Sequence, residues 1–205
     1  MGDYSESKKV RNWKTATESS PFKYDGVDYE IDVRSVLAIK ILNQTLKQLT
    51  IARKIHKRLL VMRFDLRSTT FKNSNEEISL FRKRIVQWIE RHYQTHSIGT
   101  LWVRERETVK HQHYHFAIWI DGNKIKHSRK LKLIIQQKWE EVDPSSHAAW
   151  NCENGAYFVD NEDVFHDAVF RLSYMAKLRG KGYRDKQDND YSTSRLKIKS
   201  RSANK

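Results

Sequence analysis

The chain has 205 residues, enough for one domain with a sizeable core and short extensions. Its 39 Lys and Arg against 25 Asp and Glu leave a net charge of +14; with 11% aromatic residues, this points to nucleic acid rather than a purely electrostatic membrane contact. The single cysteine, Cys152, excludes an internal disulfide framework and a cysteine-rich zinc site, and no apolar run is long enough to span a bilayer. Met1 to Lys14 is polar and unlike a signal peptide, so the cytoplasm is the expected location.

In chain order, residues 1–28 read as a polar lead-in with turn signals at Ser19-Ser20-Pro21 and Asp25-Gly26. The main domain is expected over 29–178. Apolar spacing from Tyr29 to about His56 predicts an amphipathic helix, and Leu59 to Leu66 a mostly apolar, interior strand. Ser74 with Glu77 three residues later has the form of a capping box. It opens a helix with Ile78, Phe81, Ile85, Trp88 and Ile89 on one face, ending near Thr95. Gly99–Glu107 and Gln112–Asp121 read as a β-hairpin with a turn at Asp121-Gly122-Asn123 beyond it, and Ser128–Val142 as a second amphipathic helix. Ala148–Asp160 suggests two short strands around Asn154-Gly155, and Asp163 to about Leu178 a final helix. Residues 179–205 read as a basic, weakly ordered tail. Strands joined by hairpins and interleaved with helices give an α+β class, an antiparallel sheet carrying helices.

The chemistry concentrates in two places. His113 and His115 are two apart on a strand, so both point to one face and can offer nitrogens to one divalent metal. The hairpin brings carboxylates beside them. Glu105 opposite His113, with three residues between Glu107 and His111, or Glu105 opposite His115, with five between Glu107 and His113, places acid and imidazoles together. Glu105 is the favoured third ligand, with Glu107 or His111 in reserve. Downstream, Tyr174 and Lys177 are three apart on a helix, hence on one face. A tyrosine needs a nearby cation or a metal-activated electrophile to act as nucleophile, since its free pKa is about 10. Lys177 supplies the cation, and Arg171 lies one turn back on the same face. Tyr183 and Tyr191, in the loop and tail, are lesser candidates. Arg179, Lys181 and Arg184 open the basic tail and are placed to follow a phosphate backbone. Trp102, Tyr114, Phe116 and Trp119 are expected partly in the core, with one or two rings exposed to stack on bases.

These residues resemble the HUH endonuclease superfamily, which comprises rolling-circle replication initiators, relaxases and single-strand transposases. His113-Tyr114-His115 matches its His–hydrophobic–His strand and Tyr174-Met175-Ala176-Lys177 its Tyr-x-x-Lys helix, in the right order. More narrowly, Met62–Leu66, Trp102–Glu105, His113–Phe116 and Phe170–Lys177 resemble inovirus-type (filamentous phage gene 2-like) replication initiators. The resemblance implies a five-stranded antiparallel sheet flanked by helices, with Mg²⁺ or Mn²⁺ on His113, His115 and an acid, Glu105. It also implies that Tyr174 attacks single-stranded DNA at an origin, leaving a 5′-phosphotyrosine and a free 3′-OH, with Lys177 as helper. Asp65 matches a family strand position near the site. Two features depart from the pattern: only His111 could mimic the third histidine of relaxases, and one tyrosine stands where many initiators have two. No phosphate-cradling glycine loop is present, so host helicase and polymerase are the implied partners. The rival readings are a relaxase or transposase of the same chemistry, a non-catalytic DNA-binding regulator on this scaffold, and an RNA-binding sheet protein.

Overall fold

Alternation along the strands governs the architecture. In the computed structural model, which describes residues 16–69, 74–105, 112–146, 150–181 and 189–198, the order is β1 (Ala16–Thr17), β2 (Phe22–Tyr24), β3 (Val27–Tyr29), β4 (Leu37–Ala38), α1 (Ile39–Ile55), β5 (Leu59–Ser68), α2 (Glu76–Tyr93), β6 (Gly99–Glu105), β7 (Gln112–Asp121), α3 (Arg129–Glu140), β8 (Trp150–Val159), α4 (Glu162–Ser173), a 3₁₀ turn (Tyr174–Ala176) and β9 (Tyr191–Thr193). Five strands form one antiparallel sheet in the order β8-β5-β7-β6-β9. The protein is therefore α+β, with helices on both faces of the sheet.

Even-numbered side chains of the inner strands face α2 and α3. Met62, Phe64, Tyr114, Phe116 and Ile118 pack there against Phe81, Ile85, Ile135 and Trp139. Phe64 stacks on Phe116 and Phe81 meets Phe116 edge-on, at centroid distances of 5.1 and 5.3 Å. Odd-numbered side chains face α1 and α4, where Leu59, Val61, Leu101, Val103, Ala117 and Trp119 meet Leu42, Leu46, Leu49, Val169 and Leu172. At one end this second face turns polar, because Arg63, Asp65, Glu105, His113 and His115 are all odd-numbered. Trp102, Tyr114, Phe116 and Trp119 are all buried, so none of them is an exposed stacking platform.

Several elements differ from the expected ones for local reasons. The helix expected from Tyr29 begins only at Ile39, because Asp32 turns the chain by accepting from the Arg34 backbone N–H and side chain. The Ser74/Glu77 capping box is not what starts α2: its N-cap is Asn75, whose side chain instead donates to the Asn189 carbonyl. Within the lead-in, Asp25 and Gly26 both have positive φ and close the small β2–β3 hairpin. Residues 191–193, read as tail, form the edge strand β9 beside β6. Gln48 of α1 secures the chain just beyond it, its side-chain oxygen accepting from Leu196 N–H at 2.8 Å and Ser194 Oγ at 2.9 Å.

Asn154-Gly155 makes a bulge, not a hairpin turn. Strand β8 runs unbroken, but its pairing with β5 jumps from Met62–Ala156 to Phe64–Asn151, leaving Arg63 without a β8 partner in the ladder. Asn154 has φ of 52°, and a Cβ on Gly155 would lie 2.6 Å from the Arg63 carbonyl oxygen. On its other side Arg63 pairs with the small Ala117, so the bulge and the small neighbour together leave it room to reach along the sheet. Gly155→Ala should therefore displace backbone and lower stability by about 1–3 kcal/mol, measurable as a reduced denaturation midpoint in urea.

Candidate active site

The β6–β7 register pairs Glu105 with His113, the first of the two registers compatible with a joint site. Across β7, Asp65 of β5 pairs with His115 and Arg67 with His113. His115 lies between two acids: Nδ1 is 2.6 Å from Asp65 Oδ1 and Nε2 is 3.0 Å from Glu105 Oε2. Burial disfavours the imidazolium, but these two hydrogen bonds outweigh it and the pKa of His115 is raised. The intervening Tyr114 points to the other face, where burial pushes its phenol up to about 12. It is not placed to act as a nucleophile.

The tyrosine arrives from the opposite layer. Asn161 caps α4 by accepting from Val164 N–H, and Glu162 and Asp163 suit the positive end of its dipole. The α-helix stops at Ser173, short of the expected Leu178, and Tyr174–Ala176 tighten into a 3₁₀ turn. The chain leaves the helix because Leu178 N–H donates to the Val36 carbonyl and Lys177 bridges Leu37. A 3₁₀ turn eclipses side chains three apart. Lys177 Nζ accordingly donates to Tyr174 Oη at 2.7 Å. The Tyr174 ring meets His115 edge-on at 5.8 Å between centroids, and the Arg63 guanidinium lies 4.6 Å from its centre. Arg34, held by Asp32, is 5.8 Å from the same ring. Ser173 Oγ accepts from Asp32 N–H at 2.8 Å, tying that loop to the tyrosine.

Glu105 joins the two layers. Its side chain is 1% exposed; Oε2 is 2.9 Å from Lys177 Nζ, and Oε1 is 2.9 Å from Lys181 Nζ. Burial alone would raise its pKa, but the hydrogen bond and charge of His115, with Lys181 and Lys177, hold it at about 2. Asp65 is likewise lowered, against the cost of its burial, by His115 and by Arg63, whose guanidinium lies 3.7 Å away. Lys177 is raised by Glu105 and Tyr174 despite burial, whereas burial lowers Lys181.

Residues 29–190 match the family model of the YagK/YfjJ C-terminal domain. The chain belongs to the YagK/YfjJ C-terminal domain family. No curated protein matches it, and no solved structure does. In this YagK/YfjJ domain the geometry brings together His115, Glu105, Tyr174 and Lys177, with His113 beside Glu105 on the same sheet face. Arg171 is half-buried, and its charge partly offsets the rise that burial gives the pKa values of Tyr157 and Cys152; Arg63, Arg34 and Lys177 lie over the Tyr174 ring. Lys181 is no surface contact for a phosphate backbone, because its side chain is 0% exposed and bound to Glu105. Arg179 is exposed, and Tyr191 is half-buried in β9. Arg184, Tyr183, Glu107 and His111 lie outside the described residues.

Arg63 and Arg34 were not anticipated. Arg63 carries a signal in hindsight: it is a buried charge within the mostly apolar start of an inner strand, and buried charge is rare without a partner. Arg34 carries none, since its loop reaches the tyrosine only through tertiary contacts, among them Asp32 with Ser173 and Val36 with Leu178.

A divalent ion on His113, His115 and Glu105 requires those donors to converge on one point. The carboxylate of Glu105 instead faces Lys177, Lys181 and His115, and among the described residues no group of three or more His, Cys, Asp or Glu could hold a metal ion. As described, Glu105 is held in an ion-pair cluster and is not turned to share an ion with His113 and His115. Glu105→Gln would remove the carboxylate charge shared by two buried ammonium groups and should cost about 3–5 kcal/mol of folding stability. Urea titration checks this; a loss below about 1 kcal/mol, the range of an exposed pair, would contradict the burial.

Proposed function

We propose that this protein nicks and rejoins single-stranded DNA through a transient 5′-phosphotyrosine at Tyr174, and that it thereby initiates rolling-circle replication of a phage or other mobile element. The observation that carries the reading is the Lys177 Nζ–Tyr174 Oη hydrogen bond of 2.7 Å, made beside His115 and Arg63. The net charge of +14 suits a polyanionic substrate.

In this reading the Tyr174 oxygen attacks a backbone phosphorus and the bond to the 3′-oxygen breaks. The phenolic proton ends on the departing 3′-OH, so atoms and charge balance. Lys177 stabilises the developing phenolate, and Arg63 offers charge to the phosphate as it becomes more anionic. Attack by the 3′-OH on the phosphotyrosine reverses the step and rejoins the strand. Mg²⁺ or Mn²⁺ at His113 and His115 stays within the proposal as the cofactor expected from the resemblance to HUH enzymes. Host helicase and polymerase would extend the free 3′-OH. No helix among the described residues is long and apolar enough to cross a membrane, which is compatible with work in a bacterial cytoplasm.

A second reading is a DNA-binding regulator on the same scaffold, favoured by the engagement of Glu105 with two lysines. A relaxase or transposase would share the chemistry and differ in the DNA it cuts. Incubation with a pool of single-stranded oligonucleotides, with Mn²⁺, with Mg²⁺ or with chelator, separates these readings. A nicking enzyme yields a covalent protein–DNA adduct that Tyr174→Phe abolishes without loss of folding or DNA binding. Lys177→Met should slow adduct formation about 100- to 1000-fold. A regulator binds DNA equally with chelator and forms no adduct, and an adduct undiminished in Tyr174→Phe contradicts the assignment of the nucleophile.

A further inference from the structure

A lysine ammonium on a four-carbon stem is a mobile point charge with three donors. Lys177 uses one donor on Tyr174 Oη and another on Oε2 of Glu105, which it shares with His115. If Oε1 of Glu105 were open, the ammonium could slide to bridge both carboxylate oxygens and leave the phenol. Lys181 closes that route: its Nζ sits 2.9 Å from Oε1 and also donates to the Lys177 backbone carbonyl. The placement is built locally. Gly180, with φ of 79°, turns the chain back after the 3₁₀ segment, and Lys181 N–H donates to the Leu178 carbonyl, aiming the side chain inward. A lysine with a fully buried side chain is rare unless it is paired.

We propose that Lys181, acting through Glu105 and the Lys177 carbonyl, is a positioning residue that holds the Lys177 ammonium on the Tyr174 oxygen. Glu105 is then the anchor of a lysine pair, a role distinct from metal ligand. This inference rests on the nicking reading, and it extends the site beyond the Tyr174–Lys177 motif to a residue the motif does not include.

The test compares wild type with Lys181→Met, which keeps most of the apolar stem and removes the charge, in adduct formation on an oligonucleotide that wild type cleaves. The rate at saturating oligonucleotide, per folded molecule, should fall about 10- to 100-fold while the half-saturating concentration stays unchanged. A purely structural role would lower thermal stability without that selective loss of maximal rate. If Lys181 only competes with a divalent ion for Glu105, the variant should react as fast as wild type or faster and bind Mn²⁺ more tightly by calorimetry. Either result overturns the proposal. Should Lys181→Met fail to fold, the double variant E105Q/K181M removes both charges of the pair and carries the same comparison; a wild-type rate there also overturns it. Absence of any adduct in wild type sinks the nicking reading itself, a result distinct from an unchanged rate in the variant.

Discussion

A buried carboxylate with three cationic or hydrogen-bonding partners holds this site together. Glu105 ends a strand whose other residues are buried, and it receives His115 from the neighbouring strand and Lys177 and Lys181 from the segment after α4. Each of those groups would be costly to bury alone. Together they satisfy one another, and a carboxylate has enough lone pairs to accept all three. The sheet and the helical layer are thus coupled at the point where the tyrosine sits, and displacing any member leaves charge stranded in the interior.

The fold supplies the register this cluster needs. Antiparallel pairing sets Glu105 opposite His113 and Asp65 opposite His115, which places acids and imidazoles on the odd-numbered face while Tyr114 and Phe116 fill the core on the other. The bulge in β8 clears space for Arg63, and the tightening of the chain at Tyr174 brings Lys177 over the phenol oxygen. Asp65 holds the Nδ1 side of His115, so the ring presents Nε2 toward Glu105.

Much of this was legible in the residues. A mostly apolar run marked the inner strand β5, the two-apart spacing of His113 and His115 gave their common face, and either hairpin register open to Glu105 brought it to that face. The sheet's fifth strand was not legible from local pattern: Tyr191–Thr193 is a short polar segment whose place depends on pairing with β6 and on Gln48 of α1 just beyond it. The inward turn of Lys181 was hidden for a related reason. A lysine in a basic stretch looks solvated until a buried acid far back in the chain is known to await it. Asn154-Gly155 shows the converse, a strong turn signal overridden because the strand is held on both sides of it by β5. Only tertiary contacts separate a bulge from a hairpin there.

The account stands or falls on which atom of the protein meets DNA. Peptide mapping by mass spectrometry of the adduct formed with a cleavable single-stranded oligonucleotide tests this most directly. The nucleotide should be found as a 5′-phosphate ester on the tryptic peptide Leu172–Lys177, which contains Tyr174 and no other tyrosine. A nucleotide carried instead by the peptide containing Tyr183 or Tyr191 would contradict it.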